Sequence, residues 1–456
     1  MGFHRETGRR GGFFRPREPP RLPVSLCILS LVSCGSHANL GPPDASADAA
    51  APTPCALRLA GPPIELLAFD QRHASAPQMI VLDPGSDSSP ASVALQAFAN
   101  ASITGIPDDI EIARARVGRA WPDAAIDRAP QMLGELALGF AQMASPAPGA
   151  LAVAWHREEI GVGRPQLRTF DAGSWSPGET AVLAMKGDAV LSLVPGAGGL
   201  GVVWRDLNAP GVGPVQPMIA VLDAKGSVVR GPIAAAGPVD YPGSAPALAW
   251  TGEKFLVVTG FDTCGPGAFA CAPKSVVVAT LGDASIDRVG AIGAIDPATS
   301  PGHVAAATYA DRVWIAWSEG DAKDEKVPRT VRFAALDARG FPVVGPKTLA
   351  TAAPVSTSVS ISASEIGAVV AWAERGDPNA ARSAIGASRI VVRRVALDGT
   401  PDDPIAIGAT FVDAYGPPTT AAIAAPRGAL VLWAGASATP NMPDVAWMAR
   451  VDCAGP

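Results

Sequence analysis

The sequence has few of the residues on which enzyme chemistry depends. Only 17% of its 456 residues are charged, and only five are histidines. The histidines show neither an i, i+4 pair nor any clustered spacing, so no zinc-binding pattern is present. A G-x-S-x-G nucleophile motif between a strand and a helix is also missing. We therefore predict no catalytic residue and no metal ligand from motifs.

Long helical patterns are missing as well. Glycine (48 residues) and proline (45 residues) are too frequent for a helical protein. Both residue types suit short strands that are joined by turns. The composition therefore indicates an all-β protein.

Two consecutive strand patterns recur along the chain as a repeat. The first is a run of small and β-branched residues that ends in Trp, and the second is an apolar strand followed by a turn containing Asp and Gly. Asp accepts backbone amides at such a turn, and Gly adopts positive φ. The Trp copies are Trp155, Trp204, Trp317, Trp372 and Trp433, with a drifted copy at 255–260, and the turn copies are Asp171, Asp223, Asp337 and Asp398.

The spacing of the repeat predicts a β-propeller. Trp155 and Trp204 are 49 residues apart, and Trp372 and Trp433 are 61 residues apart. A period of this size, built only from strands, is typical of propeller blades. From Cys55 to the end the chain would hold seven four-stranded blades of about 57 residues each. The strands of the first blade are predicted near 65–69, 79–82, 92–98 and 110–117. Six or eight blades remain possible if the first blade is misassigned, whereas two stacked β-sandwiches would not explain a single period.

The repeated Trp is predicted to fill the wedge between neighbouring blades, because aromatic side chains in a fixed register are usually core residues. A sugar-stacking role is the alternative interpretation. Trp121 lies outside the register, in a polar insert, and is predicted to be more exposed.

The first 33 residues are predicted to be a targeting signal. Several arginines precede a short apolar run at 22–33, which is too short to span a bilayer. The run ends in Leu31-Val32-Ser33-Cys34, which resembles the bacterial lipoprotein lipobox. This resemblance implies export and a lipid on Cys34, and Gly35 after it implies the outer membrane or cell surface. An ordinary signal peptide cleaved nearby is the alternative.

Residues 34–54 are rich in Ala and Pro and show no hydrophobic periodicity, so they are predicted to be a flexible tether to a single propeller domain at 55–456. Without residues 1–33 the chain has 30 basic and 40 acidic residues. This negative charge argues against nucleic-acid binding and against any membrane contact except through the lipid.

Four cysteines remain after Cys27 and Cys34 are set aside. In an exported protein they predict disulfides. Cys264 and Cys271 bracket a short loop and are expected to pair locally, which leaves Cys55 and Cys453 at the two ends of the propeller. Free or exchanged cysteines are the alternative. The last blade lacks its own fourth strand, and residues 55–59 are expected to supply it and close the ring.

Charged residues follow the Trp or its equivalent in most blades. In a ring these positions are expected to meet at the channel mouth, where propellers commonly bind ligands. The predicted rim is mainly acidic and also carries Arg and His, although solvated loop ends are the simpler interpretation. The candidate ligand-binding residues are Asp70, His156, Arg205, Asp206, Asp262, Glu319 and Glu374.

The repeat resembles one found in exported bacterial β-propeller-like proteins of uncharacterised type, many of them lipoproteins, over about residues 130–450. The resemblance implies the architecture and no particular ligand. From the charged rim we predict a surface-displayed, monomeric binding or scaffold protein that recognises a protein or glycan of the cell envelope. The alternatives are a glycan-acting hydrolase or lyase using rim carboxylates, and a structural envelope component. No cofactor is expected. Calcium at Asp402-Asp403 or at 320–325 is the only cation considered, and neither stretch has a dedicated loop pattern.

Overall fold

Every secondary-structure element in the described part of the computed structural model is a β-strand. The described residues lie in one unit, Ala51–Pro456, and contain no helix that could span a membrane. They are 55–67, 73–86, 88–100, 109–122, 124–128, 141–157, 164–171, 173–183, 189–197, 199–206, 216–234, 246–260, 276–282, 285–292, 300–320, 329–353, 359–375, 388–408, 418–424, 427–436 and 445–454.

The strands follow one another in antiparallel groups of four. Two strands come before the first group, β1 (Ala56–Leu59) and β2 (Ile64–Leu67). Blades one to three contain β3 (His73–Asp83), β4 (Ala91–Asn100), β5 (Asp109–Val117), β6 (Ala124–Arg128), β7 (Gln142–Ala144), β8 (Ala150–Arg157), β9 (Arg164–Asp171), β10 (Ser176–Val182), β11 (Ala189–Gly196), β12 (Gly199–Asp206), β13 (Gln216–Leu222) and β14 (Val228–Ala234).

The remaining blades repeat this order. Blades four to six contain β15 (Ala247–Trp250), β16 (Phe255–Thr259), β17 (Val276–Leu281), β18 (Ile286–Ile292), β19 (Ser300–Tyr309), β20 (Arg312–Gly320), β21 (Arg329–Asp337), β22 (Pro342–Ala353), β23 (Val359–Ser364), β24 (Gly367–Arg375), β25 (Ser388–Val395) and β26 (Ile405–Gly408). Blade seven contains β27 (Thr419–Ile423), β28 (Gly428–Gly435) and β29 (Val445–Ala454), with β1 as its fourth strand.

The seven sheets form a closed ring. The first strand of each blade packs against the first strand of the next, in the order β3, β7, β11, β15, β19, β23, β27 and back to β3. These first strands are therefore the innermost ones. The prediction of a seven-bladed, four-stranded propeller is confirmed.

The ring is closed by pairing of the two ends of the domain. Strand β1 runs antiparallel to β29, with Ala56 opposite Ala454 and Leu59 opposite Val451. Beside this pair, Cys55 and Cys453 form a disulfide across a sequence separation of 398 residues. Both the predicted closure and this predicted disulfide are confirmed, while Cys264 and Cys271 lie outside the described residues.

The first blade differs from its predicted strand assignment. The strand expected near Glu65 does not belong to it, because β2 pairs with β29, with Ile64 opposite Met448. Pro62 and Pro63 have no amide hydrogen to donate, so β1 ends before them and the chain resumes pairing further along the same edge. The fourth strand of blade one is β6, which comes from the insert after Trp121.

Trp121 itself is partly buried and therefore more exposed than the five repeated Trp, as predicted. Its indole Nε1 donates to the carbonyl of Pro62 at 2.7 Å, and the guanidinium of Arg450 lies 5.6 Å from its ring centre. The insert therefore packs on the closing segment of the ring.

Two buried arginines reinforce the closure. Arg450 of β29 donates to the carbonyls of Gly118 and Arg119 in blade one, at 2.7 and 2.8 Å. In blade six, Arg394 donates to the carbonyl of Cys55 at 2.7 Å and forms a 2.8 Å ion pair with Asp402. The closing blade is thus bonded to both of its neighbours.

The hydrophobic core is divided among the seams between blades. Each of seven buried clusters joins two adjacent blades. The five repeated Trp side chains are at most 2% exposed and lie in these clusters. Their predicted role as wedges is confirmed.

Blade four has Gly260 in place of the Trp, and a different residue fills its seam. Phe255, at the start of the same strand, is 2% exposed and packs on blade three. Two glycines opposite make room for the ring. A Cβ on Gly201 would lie 2.7 Å from Cε1 of Phe255, and one on Gly196 would lie 2.5 Å from Cζ.

We expect Gly201→Ala to lower the free energy of unfolding by about 1 to 3 kcal/mol, because the added methyl overpacks this seam. The double variant with Phe255→Leu should lose less than the sum of the single variants, as measured by chemical denaturation. Gly290→Ala is the control, since no atom lies within 4 Å of its added Cβ. Strict additivity of the two changes would refute this explanation.

The turns between third and fourth strands show the expected Asp and Gly chemistry. In blade five, Oδ1 of Asp337 accepts the amides of Arg339 and Phe341, each at 2.9 Å. Gly340 has φ of 93°. In blade three, Asp223 accepts two amides in the same way.

Blade six departs from this register. There the amide of Ala396 donates to the Thr400 carbonyl, so Ala396 takes the place that Asp337 has in blade five. Asp398 lies inside the turn and accepts the Thr400 amide at 2.8 Å. Asp398, which the sequence suggested as the equivalent of Asp337, therefore lies two residues further along its turn.

Three of these turn aspartates are expected to make the stability of the fold decrease at acid pH. The Ser174 amide lowers the pKa of Asp171, and the Thr400 amide lowers the pKa of Asp398. Burial opposes the shift at Asp337, but hydrogen bonds from Phe341 and Arg339 outweigh it and lower that pKa too. A depressed folded-state pKa contributes stability above the unfolded value, near 3.8, and this contribution is lost as pH falls through the folded value.

Unfolding titrations should therefore show a steeper loss of stability between about pH 4 and pH 2 in the wild type than in Asp337→Asn. At pH 6 the variant should be less stable, because the ion pair with Arg339 is removed. Equal slopes for the two proteins in the acid range would exclude Asp337 as a contributor.

Candidate binding face

The two faces of the propeller differ in the length of their connections. First and second strands are joined by short turns, such as the two residues between Tyr309 and Arg312. Second and third strands are joined by longer segments, such as the sixteen residues 260–275 and the twelve residues 376–387. Because the strands alternate in direction, all connections of the second kind leave from one side. We call this side the loop face and the opposite side the turn face.

The chain enters the propeller at the turn face. Strand β29 begins after a loop-face connection and ends at the turn face with Ala454. Since Ala56 is paired with Ala454, Cys55 lies at the turn face as well. The point of entry and the long connections are therefore on opposite sides.

The structure brings several of the predicted site residues to the loop face. They stand at the loop-face ends of second strands, which are His156 on β8, Arg205 and Asp206 on β12, Glu319 on β20, and Glu374 on β24. Asp70 and Asp262 lie outside the described residues, as does Cys34. Convergence on the channel mouth stays a prediction.

In blade five, Glu319 is bound on both carboxylate oxygens. Its Oε1 accepts the indole N–H of Trp317 at 2.8 Å. Its Oε2 forms an ion pair with Nε of Arg332 at 2.8 Å. The side chain of Glu319 is 6% exposed. We call Trp317, Glu319 and Arg332 the blade-five clasp.

Blade six repeats the arrangement with Trp372, Glu374 and Arg389, the blade-six clasp. The indole N–H of Trp372 donates to Oε1 of Glu374 at 3.0 Å. Nε and Nη2 of Arg389 both donate to Oε2, at 2.8 and 2.6 Å. Side chains two residues apart on a strand share a face, so the Trp and the Glu meet in both blades.

The arginine comes from a different position in each clasp. Arg332 stands opposite Trp317 in the ladder, whereas Arg389 stands opposite Glu374. No fixed sequence spacing therefore marks the ion pair, and the sequence prediction missed it. The usable signal was Glu two residues after Trp.

Blades two and seven lack this Glu. Gly435 follows Trp433 at the equivalent position, and Arg157 follows Trp155. Neither indole nitrogen has a hydrogen-bond partner within the described part of the chain. In blade two the guanidinium of Arg168 instead lies 5.8 Å from the centre of the Trp155 ring.

In each clasp the Glu side chain is mostly buried and the Arg side chain is the more exposed of the two. Glu319 and Glu374 are 6% and 13% exposed, whereas Arg332 and Arg389 are 33% and 58% exposed. A carboxylate that is buried and bound on both oxygens presents little charge outward. Within each clasp the more accessible ionic group is therefore the guanidinium.

Metal ligation finds no support in the described ranges, which contain no group of three or more His, Cys, Asp or Glu side chains able to hold a metal. Asp402, considered above for calcium, is engaged with Arg394. Residues 321–325 of the second calcium candidate lie outside the described residues.

Fold and closure together define a seven-bladed β-propeller whose N-terminal strand completes the last blade. No protein-family model matches the chain, and no curated protein matches its sequence. Its likeness is to solved structures, with about a tenth of the residues identical. We draw no functional conclusion from it.

One similar structure is a protein of unknown function from Dyadobacter fermentans, with 10% identity and a TM-score of 0.47, covering 87% of this chain and 99% of that one. Another is acylaminoacyl peptidase from Pyrococcus horikoshii, with 10% identity and a TM-score of 0.46, covering 83% and 51%. A third is the propeller domain of the trilobed protease from Pyrococcus furiosus, with 11% identity and a TM-score of 0.45, covering 84% and 94%.

Proposed function

We propose that this protein is exported, held at a bacterial outer membrane or cell surface by a lipid on Cys34, and binds a protein or glycan of the envelope through its loop face. The observation that carries the proposal is the position of Cys55 on the turn face, opposite the long connections. An attachment on the turn-face side would leave the loop face accessible to a partner. The 21 residues of the tether would place the propeller roughly 25 to 50 Å from the membrane.

The described carboxylates of the rim favour binding over catalysis. A general acid, base or nucleophile must reach the substrate. Glu319 and Glu374 are instead buried against arginine and indole partners. The proposal is therefore a monomeric binding or scaffold protein without a cofactor.

The binding test uses the mature chain 34–456 with Cys34→Ser, immobilised through its N-terminus and exposed to glycan arrays and envelope fractions. We expect binding to be retained in this orientation and reduced by Arg205→Ala at the loop-face end of β12. Arg339→Ala, an exposed residue of the turn face, is the matched control. Loss of binding in the control alone would mean that the ligand binds the turn face, which contradicts the proposal. Turnover of a glycoside would support the hydrolase alternative instead.

Lipidation has its own test. Full-length protein expressed in a bacterial host should incorporate labelled palmitate, and Cys34→Ser should abolish the label. Cys27→Ser is the control, since Cys27 lies within the predicted signal. Labelling that survives Cys34→Ser would contradict the lipid anchor.

A further inference from the structure

We propose that the loop face of blades five and six recognises carboxylate or sulfate groups of an acidic polysaccharide through Arg332 and Arg389. This inference rests on the proposed function and names the ligand class of that same face.

The first step is that the arginines are held in place before any ligand arrives. Arg389 uses two nitrogens on one oxygen of Glu374, and Glu374 is itself fixed by the Trp372 indole. Arg332 forms a single ion pair with Glu319, which is itself held by the Trp317 indole. A side chain that is already ordered loses less conformational entropy on binding.

The second step is that donors remain available. A guanidinium has five N–H donors in a planar fork. Glu374 takes up Nε and Nη2 of Arg389, and Nη1 makes no hydrogen bond or ion pair with the described residues. More than half of this side chain is exposed. The free edge matches an oxyanion such as carboxylate or sulfate, which guanidinium binds with charge-assisted hydrogen bonds.

The third step concerns the size of the ligand. Trp317 belongs to the core cluster shared by blades four and five, and Trp372 belongs to the cluster shared by blades five and six. The two guanidiniums therefore lie beside adjacent but separate seams between blades. A polymer with repeating anionic groups can engage both, whereas a single small anion can occupy only one.

The fourth step distinguishes a polysaccharide from a protein. Protein interfaces depend on buried apolar or aromatic anchors. Within the described ranges the exposed large hydrophobic residues all lie on fourth strands or the turns before them, and none lies at the loop-face ends of second or third strands. They are Leu59, Val182, Val229, Phe341 and Val343. The clasps thus offer charged hydrogen bonding without an apolar anchor, which suits an acidic sugar chain.

The experiment measures binding of the mature chain 34–456 with Cys34→Ser to immobilised polygalacturonate, dextran sulfate and neutral dextran. We expect binding to at least one of the two acidic polymers, weakened by added salt, and none to neutral dextran. Preference between the acidic polymers assigns the group as carboxylate or sulfate. Arg332→Met/Arg389→Met should reduce affinity by about tenfold or more.

Arg339→Met is the matched control, because Arg339 makes the same kind of ion pair with Asp337 on the turn face. Its affinity should equal that of the wild type. Arg332→Lys/Arg389→Lys keeps the charges and tests folding separately by thermal unfolding. A purely structural clasp would lower Tm in this variant and leave its affinity unchanged, whereas a ligand-binding clasp lowers its affinity too.

Two results would overturn the inference. One is unchanged affinity of the folded double Met variant, and the other is failure of both acidic polymers to bind. If the polymers fail while binding to envelope material remains sensitive to Arg205→Ala, the ligand class is wrong and the proposed function stands. If both forms of binding are missing, both proposals fail.

Discussion

Reduction of the Cys55–Cys453 disulfide is expected to lower the free energy of unfolding by about 5 to 6 kcal/mol. The bond closes a loop of 398 residues in the unfolded chain, and in the chain-entropy model a loop of this length gives a loss of that size. The folded state changes little, because β1 keeps its pairing with β29. Denaturant titrations with and without reductant measure the difference.

Cys264 and Cys271 would also respond to the reductant, so the titration belongs in a Cys264→Ser/Cys271→Ser background. In that background Cys55 and Cys453 are the only cysteines left in the mature chain besides Cys34. A reduced protein as stable as the oxidised one would show that closure does not depend on the bond.

The second large effect is expected at Gly367, the first residue of strand β24 in blade six. A Cβ on Gly367 would lie 2.1 Å from the carbonyl oxygen of Val395, and its φ is 102°. Neither the contact nor the backbone angle suits an L side chain. We expect Gly367→Ala to lower the free energy of unfolding by about 3 kcal/mol or more.

The control is Gly345→Ala on the outer strand of blade five, where no atom lies within 4 Å of the added methyl. It should stay within about 0.5 kcal/mol of the wild type. Because Gly199 and Gly428 meet the same carbonyl position in blades three and seven, at 1.9 and 2.1 Å, their Ala variants should behave like Gly367→Ala. A well-tolerated change at all three would mean that the strand pair is wider than described.

The ring could be predicted from the sequence because its packing unit is repeated. Each blade must bury a wedge against the next, so the Trp returns in register and its spacing counts the blades. The paired ends could be predicted for a similar reason, since the last blade lacked a strand and Cys55 and Cys453 flanked the gap.

The errors fall where a local pattern did not determine the partner strand. Residues 64–67 have a plain strand pattern, and nothing local indicates that β29 rather than blade one pairs with them. The sequence prediction aligned Asp398 with the aspartates of the other turns. The backbone hydrogen bonds show that Ala396 occupies the equivalent position.

The candidate site, too, could be predicted only in part from the sequence. That the strand ends share a face follows from strand alternation and was predictable. The partners of Glu319 and Glu374 were not, because Arg332 and Arg389 reach them across the ladder from two different positions. A charge count along the sequence gives an acidic rim, whereas pairing across strands leaves guanidiniums exposed.

The disulfide at the point of entry also has a mechanical consequence. If a partner bound at the loop face is pulled away from the attachment, the tension enters the propeller at Cys55. The S–S bond passes that load directly to Cys453 on β29, a strand paired with β28 from Val445 to Asp452. The four residue pairs of β1 then carry none of it. Without the bond the load would fall first on those four pairs and the Arg394 contact to Cys55, so the ring would begin to open where it was closed.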